Sequence, residues 1–80
     1  MKVQVFVRLK PGVLDVQGKA VEHGLHEMGF GDVHSVRVGK LIEFDCAGAA
    51  AAAVQAKVKQ MCDALLANTV IESYEIKVQG

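Results

Sequence analysis

Histidines and cysteines are among the side chains of this 80-residue chain whose types could hold a metal ion. His23 and His26 stand one helical turn apart, a spacing that can bind a metal from one helix face. No third ligand follows at a fitting distance. Glu22 and Glu27 flank the pair, which indicates a polar helix surface. We therefore expect surface histidines and no metal site.

Nucleophilic chemistry has equally little support in the sequence. Cys46 and Cys62 are far apart, form no Cys-x-x-Cys pair and fall on apolar stripes, so we expect reduced, buried thiols. A metal carrier that uses both cysteines and His34 is possible, but the spacing is too open to favour it. The two serines, Ser35 and Ser73, lack a nucleophile-elbow context. No catalytic residue is predicted in this chain.

Gly39-Lys40 matches the end of the phosphate-binding loop motif, but the rest of that motif is missing. That motif needs a glycine where His34 stands and a serine or threonine where Leu41 stands. It also needs a helix after the lysine, whereas both flanks here have the pattern of strands. We expect a glycine that turns or bends the chain beside an exposed lysine.

Composition restricts the partners and the location. Nine basic and nine acidic residues give a net charge of zero, which argues against nucleic acid or an anionic membrane as a partner. No apolar run is long enough to cross a bilayer, and we expect no signal peptide because Met1-Lys2-Val3 leads straight into a strand pattern. A cytoplasmic protein is expected. Because so short a chain buries a small core, we also expect a homodimer or a higher homo-oligomer.

The first third of the chain predicts a strand and then a helix. Apolar and polar residues alternate from Lys2 to Lys10, and Pro11-Gly12 ends the strand. Asp15 is placed to cap a helix by accepting hydrogen bonds from its first free amides. The apolar stripe of that helix comprises Ala20, Val21, Gly24, Leu25 and Met28. Gly29 and Gly31 are expected to stop it.

In residues 33–46 the apolar side chains fall on every second position, as in a strand with one apolar face, and Gly39 interrupts this pattern. Two interpretations fit: a hairpin with a three-residue turn over residues 39–41, or one long strand bent at Gly39. A second helix follows, and its predicted stripe comprises Ala51, Val54, Val58, Met61, Cys62, Leu65 and Leu66. Asn68 is predicted as a left-handed C-cap, and a last strand carries Val70, Tyr74, Ile76 and Val78.

The element order β-α-β(-β)-α-β predicts a single α+β domain over residues 1–80. Each helix has one apolar stripe and each strand one apolar face. The economical arrangement is a two-layer sandwich with both helices on one face of a mostly antiparallel, ferredoxin-like sheet.

Two sets of apolar residues are left outside this predicted core. Phe6, Leu41 and Ile71 point away from the helices and are predicted to mediate self-association. Val13 and Leu14 lie in a loop after the first strand. Either they fold over the helix or they meet a partner subunit.

Three segments of the chain resemble the PurS family, the small subunits of phosphoribosylformylglycinamidine synthase in de novo purine synthesis. They are residues 9–18 (LKPGVLDVQG), 36–40 (VRVGK) and 61–76 (MCDALLANTVIESYEI), in that order. The family usually has proline where Val16 and Thr69 stand, a difference that concerns the stiffness of two turns.

The resemblance implies a subunit of an ATP-dependent, glutamine-using ligase complex. In that complex the large PurL subunit carries ATP and Mg²⁺, and the PurQ glutaminase releases ammonia. PurS-like chains form dimers, assemble the other two subunits and assist ammonia transfer. On this basis we expect this chain to bind no cofactor. The residues predicted to face the larger subunits are Lys10, Pro11, Gly12, Val13, Leu14, Asp15, Gly39, Lys40 and Asn68.

An alternative of another class is a small homodimeric module that binds and senses a ligand on a similar fold. Such modules usually place a polar cluster at a strand end. The sequence shows no strong cluster of this kind.

Overall fold

The computed structural model describes residues 1–79 and has the element order β-α-β-α-β. Strand β1 (Lys2–Leu9) leads to helix α1 (Val16–Glu27), and strand β2 (Lys40–Asp45) leads to helix α2 (Ala51–Met61). A π-helical segment (Cys62–Leu66) extends α2 before strand β3 (Glu72–Gln79). The predicted α+β class is confirmed.

The three strands form one antiparallel sheet in the order β2-β1-β3. Val5 of the central strand lies opposite Ile42 on one side and Ile76 on the other. The same register pairs Val3 with Phe44 and Val78. Because side chains alternate along a strand, the apolar residues of all three strands share one face, called here the inner face.

Helix α2 covers this inner face and completes the core. Val3, Val5 and Val7 of β1 are at most 1% exposed, and Val54 and Val58 of α2 are equally buried. The remaining buried apolar residues are Cys46, Cys62 and Ala67. The predicted stripe of the second helix is therefore confirmed for Val54, Val58, Met61 and Cys62, whereas Ala51 is exposed.

The stripe changes beyond Cys62 because the helix widens. The amide of Ala67 bonds to the carbonyl of Cys62, five residues back, at 3.0 Å. A π turn advances each side chain by less than an α turn does. As a result Leu66 is half-buried, whereas Leu65 is 83% exposed. The prediction that Leu65 belongs to the core is therefore wrong.

Helix α1 does not lie on the inner face, which corrects the predicted placement of both helices there. No residue of α1 belongs to the hydrophobic core, and its packing against the sheet is minor. Its sequence-derived boundaries are correct, since the side chain of Asp15 caps its start and Gly29, at φ 97°, ends it. The amide of Phe30 bonds to the carbonyl of Leu25 at 3.0 Å, as in a Schellman motif.

The molecule is elongated because α1 projects from the sheet. Its principal extents are 50 × 25 × 14 Å and its radius of gyration is 15.9 Å. A compact chain of 80 residues has a radius of gyration of about 12 Å. The projecting part, residues 10–39, is called here the arm.

Neither predicted arrangement at Gly39 forms, because residues 33–39 are outside regular secondary structure. The amides of Val36 and Val38 donate to the carboxylates of Glu22 and Asp15 at 3.1 and 2.7 Å, rather than to a neighbouring strand. Ser35 also has φ 57°, which interrupts an extended chain. The segment therefore runs along α1.

The turn before β3 also differs from the prediction. Asn68 is not left-handed, since Ser35 is the non-glycine residue with positive φ in the described chain. Its Oδ1 instead accepts from the amide of Val70 at 3.2 Å, and its carbonyl accepts from the amide of Glu72 at 2.7 Å. These bonds hold Val70 in the turn, 80% exposed, and β3 begins at Glu72.

Candidate partner-binding site at one end of the sheet

Three separated segments meet where β1 ends and where β2 and β3 begin, called here the loop end of the sheet. The loop 10–15 leaves β1 there, and the amide of Lys10 donates to the carbonyl of Ile71 at 2.9 Å. Lys40 starts β2 opposite Val7. The turn at Asn68 leads into β3. The structure therefore brings together the segments that sequence reasoning assigned to partner contacts.

The carboxylate of Asp15 holds this end of the molecule together. The residue is 4% exposed. Oδ1 accepts from the amide of Gly18 at 2.8 Å and caps α1, while Oδ2 accepts from the amide of Val38 at 2.7 Å. These two bonds, followed by the charge of Arg37, hold the pKa of Asp15 below its ordinary value of 3.8, and desolvation opposes them.

Arg37 shapes the loop 10–15 from the other side. Its guanidinium donates to the carbonyls of Lys10 and Val13 at 3.1 and 3.2 Å, and more distantly to that of Leu9 at 3.4 Å. Nε lies 3.9 Å from Oδ2 of Asp15. The rigid fork of an arginine suits this task, because one group can join several acceptors.

Two glycines permit the close approaches at this end. A Cβ at Gly18 would lie 2.3 Å from the carbonyl oxygen of Val36. A Cβ at Gly39 would lie 2.6 Å from the carbonyl oxygen of Val7. Both contacts are with backbone, which cannot rotate away as a side chain can. Gly39 is thus needed for close packing at the start of β2.

A groove of about 760 Å³ lies between the loop, α1 and residues 35–37. Leu14, 70% exposed, and half-buried Val13 contribute apolar surface to it. Arg8, Lys19 and Arg37 contribute positive charge, while Asp15 and Glu22 supply carboxylates. Such a mixed, open surface suits recognition of another protein better than enclosure of a small molecule.

Most residues predicted to face partners are accessible, and Asp15 is the exception. Lys10, Pro11, Gly12, Leu14, Gly39, Lys40 and Asn68 are exposed, and Val13 is half-buried. Asp15 is inside the site and positions the others. Sequence reasoning missed Arg37 and Glu22 as parts of the site, because their bonds join segments distant in the chain and leave no local pattern.

The predicted self-association residues lie at two separate places on the outer face of the sheet, which is the face opposite the inner face. Phe6 lies opposite Leu41, and both are partly exposed. The cationic groups of Arg8 and Lys77 lie 5.9 and 5.1 Å from the ring centroid of Phe6. Ile71 stands beside Lys10, roughly 13 Å farther along β1 at the rise of a strand.

The side chains considered for metal or nucleophilic chemistry have ordinary structural roles. Cys46 and Cys62 are buried free thiols, and burial raises the pKa of Cys62. His23 pairs with Glu27 at 3.2 Å, and the rings of His26 and His34 meet edge to face. Within residues 1–79 no group of three or more metal-ligating side chains occurs. Nor does any helix in that range have the length and apolarity to cross a membrane.

Comparison with known proteins agrees with the predicted family over almost the whole chain. The family model of PurS, phosphoribosylformylglycinamidine (FGAM) synthase, matches residues 2–80. The phosphoribosylformylglycinamidine synthase subunit PurS of Bacillus subtilis is 47% identical over 78 residues, which are 98% of this chain and 92% of that protein.

Solved structures give the same result. A Bacillus subtilis PurS crystal structure superposes with a TM-score of 0.89 at 47% identity and covers 99% of this chain and 98% of its own. A chain of the PurLQS structure from Thermotoga maritima superposes with a TM-score of 0.87 at 30% identity and covers 95% of this chain and 93% of its own. This chain therefore belongs to the PurS family.

Proposed function

We propose that this chain is the non-catalytic small subunit of a phosphoribosylformylglycinamidine synthase complex in purine biosynthesis. In this role it joins a PurL-type synthetase to a PurQ-type glutaminase and assists the transfer of ammonia between them. The main support for this proposal is family membership over residues 2–80, together with the similarity to a chain of the PurLQS structure. The absence of a metal-ligating cluster from residues 1–79 is compatible with this role.

ATP and Mg²⁺ belong, in this proposal, to the synthetase subunit and not to this chain. The described surface offers an open, mixed groove rather than a glycine-rich loop before a helix, which is the usual cradle for a nucleotide phosphate. We place the complex in the cytoplasm, which the two unpaired thiols support because cysteines stay reduced there.

The loop end of the sheet is the proposed contact surface for the two larger subunits. Leu14 offers an exposed apolar side chain, and Lys10 and Lys40 add exposed positive charge. Asp15 and Arg37 hold the loop in one conformation through four hydrogen bonds to backbone groups. A preorganised loop loses little conformational entropy on binding, which favours its use as a docking element.

A pair of charge reversals at opposite ends of the sheet tests this surface. Lys40→Glu alters the loop end, whereas Lys2→Glu alters an exposed lysine at the far end, opposite Asp45 and Gln79. We expect Lys40→Glu to weaken assembly with the synthetase and glutaminase in size-exclusion chromatography. Lys2→Glu should assemble as the wild type does. Equal assembly by both variants would remove Lys40 from the interface.

Self-association is the second part of the proposal, and surface area supports it. The chain exposes 5526 Å². A compact monomer of its mass, 8.6 kDa, exposes only about 4,700 Å². The excess, about 800 Å², is what one partner contributes to an interface of standard size. We therefore propose a homodimer, which higher assemblies could build on.

A further inference from the structure

The charges of this neutral chain are distributed unevenly over the folded molecule. Three of the nine acidic residues lie at the loop end and along its groove, and the rest of the chain carries six acidic and four basic residues. The loop end therefore has a net side-chain charge of +2, against −2 elsewhere. Its five basic residues are Arg8, Lys10, Lys19, Arg37 and Lys40.

The acidic residues at this end direct their carboxylates toward the chain's own backbone. Asp15 is 4% exposed, and both of its oxygens accept backbone amides. Oε1 of Glu22 accepts from the amide of Val36 at 3.1 Å, and Oε1 of Glu72 accepts from the amide of Asn68 at 2.7 Å. These carboxylates hold segments of the fold together. They are accordingly poorly placed to neutralise the cations on the surface.

The basic side chains, by contrast, face solvent with little compensation. Lys10, Lys19 and Lys40 are exposed, and none of them forms an ion pair with an aspartate or glutamate of residues 1–79. Arg8 reaches Glu75 only at 3.8 Å, and both side chains are more than half exposed. Such a surface pair contributes little. An approaching molecule therefore meets positive charge at the groove.

The groove also has an apolar part. Leu14 is exposed and Val13 is half-buried, and both line the groove with Arg8 and Lys19. Arg37 fixes the backbone beneath them through the carbonyl of Val13. Apolar anchors surrounded by charged groups are the usual arrangement of a protein interface, in which a polar rim encloses an apolar centre. Phosphate or another small anion would leave Leu14 uncovered.

We propose that this groove receives an acidic segment of one of the two larger subunits. An apolar side chain of that segment packs against Leu14 and Val13, and its carboxylates face Lys19 and Arg8. Charge complementarity selects this occupant, because a basic segment would place like charges together. The inference rests on the function proposed above and specifies the chemistry of its contact surface.

Two charge reversals on different helices test the electrostatic part. The wild-type chain is immobilised, and the synthetase and the glutaminase are passed over it separately. Lys19→Glu alters the groove, and the first turn of a helix tolerates a negative charge. Lys57→Glu alters an equally exposed lysine of α2. We expect Lys19→Glu to raise the dissociation constant for one subunit by about tenfold or more, and Lys57→Glu to leave it unchanged.

Salt dependence separates lost charge from lost fold. Raising the salt concentration from about 0.1 M to about 1 M shortens the Debye length from about 10 Å to about 3 Å. Wild-type association should slow over this range, and association of Lys19→Glu should slow less. Lys19→Arg keeps the charge and should behave as wild type does. Equal salt dependence for wild type and Lys19→Glu would overturn the electrostatic part.

Two leucine truncations test the apolar part. Leu14→Ala removes the anchor in the groove, and Leu65→Ala removes a leucine outside it. Both native side chains are largely in water, so the folded chain should lose little stability. We expect Leu14→Ala to weaken binding about tenfold, mainly through faster dissociation. Leu65→Ala should bind as wild type does.

Zero-length coupling with a water-soluble carbodiimide identifies the occupant. This reagent joins a lysine amine to a carboxylate in contact with it, with loss of water. We expect mass spectrometry of the assembled complex to find Lys19 joined to an aspartate or glutamate of a larger subunit. Lys19→Arg should bind but lose this product. Coupling of Lys57 in place of Lys19 would contradict the proposal.

The outcomes distinguish this inference from the proposed function. If neither larger subunit binds the wild-type chain, both are wrong. If a subunit binds and Lys19→Glu behaves as Lys57→Glu does, the acidic segment is wrong while the assembly role stands. The same holds if Lys19 is coupled only within its own chain.

Discussion

Asp15 connects three parts of the molecule through one carboxylate. It caps α1 through Gly18, fixes the irregular segment through Val38 and lies beside Arg37, which in turn holds the loop 10–15. Each bond favours the charged form, so the pKa of Asp15 lies below its ordinary value of 3.8. The carboxylate of Glu22 acts in the same way on Val36, and its pKa lies below 4.5.

These lowered pKa values predict a loss of stability in acid. A carboxylate whose pKa is lower in the folded than in the unfolded state contributes stability above its unfolded value. That contribution is lost as pH falls through the folded value. For Asp15 the loss begins near pH 3.8, and for Glu22 near pH 4.5, and continues below. Urea unfolding at a series of pH values should show a declining midpoint over this range.

Asp15→Asn tests which carboxylate is responsible. The amide keeps one acceptor oxygen but turns an NH₂ group toward one of the two backbone donors, so the variant should be less stable than wild type at pH 7. The difference in stability between the variant and wild type should narrow below pH 3.8, because acid removes the same interaction from wild type. A gap that is constant with pH would show that Asp15 does not act through its charge.

At the residue scale, sequence reasoning recognised local roles and missed distant ones. The capping role of Asp15 follows from its place before an amphipathic helix, and the structure confirms it. Its bond to Val38, 23 residues away, has no sequence signature. Arg37 was missed for the same reason, since its acceptors are backbone carbonyls that every residue carries.

At the element scale, helix α2 is the part of the fold that hydrophobic periodicity predicted best. Val54, Val58 and Cys62 recur at helical spacing and are 0–1% exposed. The prediction failed at Leu65, because periodicity assumes a constant helix and the π turn after Met61 alters the phase. Nothing in the residues of this turn distinguishes it from a continued α-helix.

Removing core volume from α2 gives a stability prediction. Val58→Ala should lower the free energy of unfolding by about 2 kcal/mol, through lost burial and the cavity that remains. Lys57→Ala, on the exposed side of the same helix, should change it by less than about 0.5 kcal/mol. Both are measured by urea unfolding at one protein concentration, since association alters apparent stability. Equal effects would show that α2 is not the core helix.

Residues 33–39 show why an apolar alternation alone does not establish a strand. Val36 and Val38 share the parity of β2 and therefore favoured a strand or a hairpin. Their amides are instead occupied by the carboxylates of Glu22 and Asp15. Side-chain acceptors can thus replace a neighbouring strand, and periodicity does not reveal which acceptor a backbone amide finds.

At the scale of the whole molecule, the sequence predicted the elements and their order better than their placement. An apolar stripe on α1 indicates that something covers it, but not whether the cover belongs to the same chain. The structure shows an elongated chain in which Val21 and Met28 of this stripe are exposed. Placement failed because hydrophobic periodicity shows which face of α1 is apolar, but not which surface that face meets.

The small core and the accessible loop end suit a subunit that works through contacts. Its inner face is covered on one side by α2, its arm exposes apolar surface, and its loop end is shaped by Asp15 and Arg37. Family membership makes the chain a subunit of phosphoribosylformylglycinamidine synthase. We propose these surfaces for its contacts with the other subunits. The central claim is therefore that the chain is required for the joint activity of the other subunits.

Reconstitution tests this claim most directly. The synthetase and glutaminase subunits are combined with substrate, ATP and glutamine, with and without this chain, and product formation is followed. We expect glutamine-dependent synthesis only when the chain is present, while ammonia-dependent synthesis by the synthetase alone changes little. Glutamine-dependent synthesis at the same rate without the chain, or no binding of the chain to either subunit, would contradict the assembly role.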